Sequence, residues 1–72
     1  MGVKHMSYTV ELHEKSNKNM QYEITDVEAT NEEEAAFKAK KFVAKYAYFP
    51  KMSMQQVIMQ LAVDKVTESK RS

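Results

Sequence analysis

The sequence predicts a small α+β domain of ββαβ type, a three-stranded antiparallel sheet with one helix packed on one face. Three observations predict it. Residues 7–14 alternate apolar and polar, and residues 21–29 are rich in β-formers. Residues 32–46 carry a helical apolar period, with acids ahead of bases. One further apolar stretch, residues 52–66, remains to supply the third strand that a lone hairpin with one helix needs.

In "SYTVELHE", residues 7–14, Tyr8, Val10 and Leu12 point one way and Thr9, Glu11 and His13 the other, as in a half-buried strand. "KSNKN", residues 15–19, is the turn, with Asn17 and Asn19 expected to visit positive φ in the absence of glycine. In "QYEITDVEA", residues 21–29, the apolar parity slips between Ile24 and Val27, which predicts a bulge. Thr30 with Glu33 reads as a capping box opening a helix over Glu32 to Tyr46. Ala35, Ala39, Phe42, Val43 and Tyr46 are expected to face the sheet, and Lys38, Lys41 and Lys45 to form a solvated stripe. Pro50 closes the helical region, because the residue before proline avoids the α conformation.

"MSMQQVIMQLAVDKV", residues 52–66, reads two ways. As a helix, Ser53 caps it and Gln56 completes a capping box, which would make the fold ββαα. As a strand, Val57, Met59, Leu61 and Val63 alternate. The strand, over Val57 to Thr67, is preferred, and the tail "ESKRS" is expected to fray.

The chain has 72 residues, so one domain is expected. Such a domain buries only about 60% of the surface its unfolded chain exposes. A content of 43% hydrophobic and 29% charged residues argues against disorder. No apolar run approaches the ~20 residues of a membrane span. The opening "MGVKHM" reads as a cloning leader with Met6 as the natural start. Residues 1–5 are thus set aside, residues 6–68 form the domain, and residues 69–72 the frayed end. Without Lys4, the 11 basic residues become ten against ten acidic, which disfavours a strongly basic nucleic-acid binder.

The catalytic inventory is poor. The single glycine, Gly2, falls in the leader, which excludes a glycine-rich phosphate loop. Without cysteine there is no thiol nucleophile, disulfide or thiolate metal site, and a cytoplasmic location is expected. His13 reads as an exposed strand residue beside Glu11 or Glu14. Nothing in its spacing from Ser16 or Asp26 marks a hydrolytic triad. Glu32, Glu33 and Glu34 lack the alternation and glycine of a calcium loop. No enzyme activity, cofactor, metal or small-molecule substrate is expected.

Charge carries more information. From Tyr22 to Ala36 there are six acids and no base. Glu32, Glu33 and Glu34 complement the helix dipole, each by about 0.3–1 kcal/mol. Glu23, Asp26 and Glu28, on the strand before, are not explained that way, and Glu11 on the neighbouring strand can join them. These seven residues are the candidate contacts for a basic partner. The alternative is weak phosphate binding through Lys38, Lys41 and Lys45. "YAYFP" with Met52, Met54 and Met59 is either core filling or a homodimer interface.

The order strand, strand, acid-capped helix, strand resembles the host-takeover inhibitors that lytic phages make early in infection. The small phage inhibitors of host RNA polymerase have a similar ββαβ layout, with a T-x-x-E-A helix start whose counterpart here runs from Thr30 to Ala35. Phage proteins that imitate DNA and block the nucleoid protein HU are related in kind. Antitoxins of the HicB type share the hairpin-plus-helix order. The resemblance covers residues 7–48 and departs from phosphate mimicry in that lysines balance the acids. It implies a non-enzymatic inhibitor acting in the host cytoplasm, whose acidic surface occupies a basic, nucleic-acid-binding host protein.

Overall fold

A computed structural model of the chain describes residues 6–47 and 51–69. The elements are β1 (Met6–Glu14), β2 (Asn17–Ala29), α1 (Glu32–Tyr46), α2 (Met54–Gln60) and β3 (Leu61–Ser69). The three strands form one antiparallel sheet in the order β2-β1-β3. Helix α1 contacts all three strands, and α2 packs on α1 and β3. The α+β class and three-stranded sheet are as predicted, but the fold is ββααβ.

The two readings of residues 52–66 are each correct for half of the segment. Ser53 Oγ accepts from Gln56 N at 3.2 Å, and the Gln56 side chain accepts from Ser53 N at 2.9 Å. This box starts the helix that the ββαα alternative expected, though that alternative missed the strand after it, and the preferred strand, from Val57, begins four residues too early. Val57 and Leu61, one helical turn apart, are both buried, whereas Met59 is 68% exposed. Sheet pairing begins only at Leu61 and includes Glu68 and Ser69, which pair with Tyr8 and Ser7. The expected fraying therefore does not apply to those two residues. Residues 1–5 and 70–72, and Tyr48, Phe49 and Pro50 of "YAYFP", lie outside the described residues.

The core gathers Tyr8, Val10 and Leu12 from β1 and Val27 and Ala29 from β2. Ala35, Ala39 and Val43 of α1, Val57 of α2 and Leu61 close over them. Because three small side chains make α1's inner stripe, the helix presents a narrow face to the sheet. Phe42 and Tyr46, expected on that face, stand outside it at 48% and 66% exposure, with ring centroids 4.6 Å apart. Met52 is half-buried and Met54 exposed.

The cap of α1 is one residue later than predicted. Asn31, in extended conformation, accepts from Glu34 N at 2.8 Å. Glu34, not Glu33, reaches back, accepting from Thr30 N at 2.6 Å and Thr30 Oγ1 at 2.9 Å. Asn31→Ala is expected to cost about 0.5–2 kcal/mol in urea unfolding. Glu33→Ala should stay within about 0.5 kcal/mol, since Glu33 is exposed and makes no cap.

The hairpin differs in its turn. Only Lys15 and Ser16 separate the strands, and Asn17 Oδ1 accepts from Asn19 N at 3.1 Å. Among the described residues, positive φ belongs to Asp26 and Lys51, not to Asn17 or Asn19. The turn is tied to α2 by Lys15 N donating to the Gln60 carbonyl at 2.7 Å. The predicted bulge is present: Tyr8 pairs with Val27 and Val10 with Ile24, so Thr25 and Asp26 together oppose Thr9. Asp26 takes φ 58°, a conformation Asp tolerates better than most residues.

At the rim of the core, Tyr22 Oη donates to Glu14 Oε2 at 2.7 Å. Burial first, then this bond, then the Glu14 charge, push the phenol up to about 12. The neutral phenol is thus favoured in the folded chain. The stability this contributes is fully present below the ordinary tyrosine value of about 10 and is lost as pH rises through about 12. Tyr22→Phe should cost roughly 1 kcal/mol or less at neutral pH, allowing for the side chain's partial exposure. It should also remove the step near 12 from the tyrosinate absorbance curve; a step that stays there in the variant would assign it to another tyrosine.

Candidate functional site: the acidic open face of the sheet

Both helices lie on one side of the sheet, so the strand alternation that buries Val10 and Leu12 turns Glu11 and His13 to the other. In the register, Glu11 stands directly opposite Glu23 on β2. Like charges in this position are destabilising, and among the described residues Glu23 lies on an edge strand of the sheet. On its other side Glu11 is opposite Lys65 of β3.

A second bulge completes the arrangement. Glu11 pairs with Lys65 but Leu12 with Val63, which leaves Asp64 as the extra residue on β3. Its carboxylate oxygens lie 2.8 and 2.9 Å from His13 Nδ1. A carboxylate only accepts, so Nδ1 carries the proton in this pair. His13 is therefore paired with Asp64, not with Glu11 or Glu14 as expected. Glu11, His13, Lys18, Gln21, Glu23 and Asp64 line a concavity of about 610 Å³.

The seven acids singled out in the sequence do not form one cluster. Glu11 and Glu23 are brought together on the open face, and Glu28 follows further along it, opposite Ser7. Asp26 lies on the bulge and lines a groove of about 320 Å³ between β2 and α1, with Ile24, Val27, Lys38 and Phe42. Glu32 and Glu33 are exposed in the first turn of α1, and Glu34 is engaged with Thr30. Asp64 was missed in the sequence. The signal was there: Leu61, Val63 and Val66 slip parity at Asp64 as Ile24 and Val27 do at Asp26.

The three lysines are exposed but engaged. Lys38 Nζ donates to the Glu28 carbonyl at 2.7 Å. Lys41 lies 5.5 Å from the Phe37 ring centroid and Lys45 5.4 Å from that of Tyr46.

No protein-family model, curated protein or solved structure matches the chain. Its chemistry therefore rests on its own side chains. Among the described residues no group of three or more His, Cys, Asp or Glu could hold a metal ion. Among them, too, no helix is long and apolar enough to cross a membrane. What the open face offers is a shallow, wet surface of carboxylates, suited to ammonium and guanidinium groups.

Proposed function

We propose that the protein is a non-enzymatic binding module that captures a basic, nucleic-acid-binding protein through the open face of its sheet. One observation carries this reading: Glu11 and Glu23 face each other across two strands, with Asp64 on the same concavity. Such a pair costs the free protein stability, and a cationic side chain set between the carboxylates would relieve that cost. The resemblance to phage host-takeover inhibitors supports the finer form, an inhibitor of an HU-like nucleoid protein or of transcription machinery acting in the host cytoplasm.

The test is capture from bacterial lysate at physiological salt, with bound proteins identified by mass spectrometry. The immobilised native chain is expected to retain basic nucleic-acid-binding proteins, and the Glu11→Lys, Glu23→Lys double variant to lose them. Equal retention by a folded double variant would rule out the open face as the capturing surface.

A further inference from the structure

We infer that the outer side of α1 is a second binding surface, a stacking platform for single-stranded nucleic acid. It lies on the helix side of the molecule and does not depend on the open face of the sheet.

The near balance of acids and bases conceals a segregation. Residues 35–63, which hold α2 and all of α1 beyond its opening acids, contain Lys38, Lys40, Lys41, Lys45 and Lys51 and no acid. Within α1 the arrangement is regular. A ring and a lysine stand side by side at Phe37–Lys38, Lys41–Phe42 and Lys45–Tyr46. These pairs recur every four residues, so three successive turns each carry one ring and one ammonium group on one side of the helix, about 6 Å apart along its axis. The buried stripe Ala35, Ala39 and Val43 repeats at the same spacing on the inner side, which leaves the rings outside. Phe37 is 53% exposed even with Lys41 Nζ 5.5 Å from its centroid. Phe42 and Tyr46 are exposed and in mutual contact, with Lys45 beside Tyr46.

The margins of this platform are acidic. Glu33 and Glu34 close it at the start of α1, and Glu23 and Asp26 line the groove beside Phe42 on the β2 side. Lys38, whose amino group donates to the Glu28 carbonyl, belongs to that margin. A phosphate path is therefore confined to Lys41 and Lys45, with the rings of Phe37 and Tyr46 next to it.

A nucleic-acid strand is the occupant that uses both features. Its phosphates take the ammonium groups, and its unpaired bases offer flat faces to the exposed rings. A duplex keeps its bases stacked on one another, so the single strand is favoured. Helix α1 has no arginine, and binding through lysines and rings is tolerant of sequence. A second copy of this chain could turn its acidic sheet face to the lysines, but that face would set Glu11, Glu23 and Asp64 against the rings. A membrane surface takes a helix whose apolar stripe is separate from its lysines, whereas here a lysine accompanies every ring.

The experiment uses the full chain and a fluorescein-labelled oligothymidylate of about 15 nucleotides, read by anisotropy at low salt. The strand is expected to bind, and an abasic strand of equal length and charge to bind about tenfold more weakly or worse, having lost the base–ring contacts. Phe37→Ala and Tyr46→Ala should each weaken binding about fivefold or more without lowering the melting temperature, since both rings lie outside the core. The Lys41→Gln, Lys45→Gln double variant should lower the slope of log affinity against log salt by about 1.4. The Glu11→Lys, Glu23→Lys double variant should bind the strand no more weakly than the native chain, which separates this surface from the open face; loss of binding there would overturn the placement on α1. Equal affinity for thymidylate and abasic strands would overturn stacking, and no binding at low salt would overturn the platform altogether. So would retention of the chain by phosphatidylserine vesicles in place of the strand, or a self-association abolished by Phe37→Ala, because the rings would then serve a membrane or a second copy.

Discussion

Replacing Leu61 with alanine is expected to destabilise the domain by about 2–5 kcal/mol, the range for truncating a fully buried leucine. Leu61 has no exposed surface, and it ends α2 and begins β3. It is therefore where the second helix, the third strand and the core meet. At about 0.05–0.15 kcal/mol per residue, a 72-residue domain holds roughly 4–11 kcal/mol in total. The substitution should remove a large part of that, seen as a lower urea midpoint with little change in slope. Met59→Ala is the informative companion. If residues 57–63 were a continuous strand, Met59 and Leu61 would share a face and lose similar stability. In the observed fold Met59 is on the outer side of α2, and its truncation should fall within about 0.5 kcal/mol. Similar losses for the two variants would contradict the helix-to-strand junction at Leu61.

That junction also shows where sequence patterning stopped being informative. β1 was legible because one face is buried and the other wet, so apolar period and strand period coincide at Tyr8, Val10 and Leu12. The bulge before Val27 was legible for the same reason. Residues 52–66 were not, because Val57 and Leu61 satisfy a helical and a strand period equally, and the choice depends on what they pack against. The capping box at Ser53 was a local signal of a helix, and the β-branched residues after Leu61 a local signal of a strand. Both were right, and the boundary between them is tertiary. Phe42 and Tyr46 were misplaced because apolar period alone cannot tell an inner stripe of Ala35, Ala39 and Val43 from its wider aromatic flank. For the candidate site, the acids of β1 and β2 were visible, but their pairing was not, since register depends on bulges at both strands flanking β1. The His13–Asp64 contact spans 51 residues of sequence and follows only from that register.

Glu23→Lys should make the protein more stable and less able to bind. The register places Glu23 directly opposite Glu11, so the substitution turns a like-charge cross-strand pair into an opposite-charge one. Such pairs differ by about 0.2–1 kcal/mol. Because Glu11 already faces Lys65 on its other side, the gain should lie toward the lower end. For a domain of this size, 1 kcal/mol moves the melting temperature by roughly 4–8 °C, so a rise of a few degrees is expected. Capture of a basic partner should fall by about tenfold or more at physiological salt, as an attractive contact becomes a repulsive one. The two effects have opposite signs, which is what separates a functional charge from a structural one. A residue kept for the fold loses stability when reversed; a residue kept for a partner against the interest of the fold gains it. The native interaction should also weaken steeply as salt is raised, since exposed charges are screened beyond about 8 Å at physiological ionic strength. A folded Glu23→Lys variant that melts lower than the native chain, or that captures the same proteins equally well, would return Glu11 and Glu23 to the ordinary solvated surface.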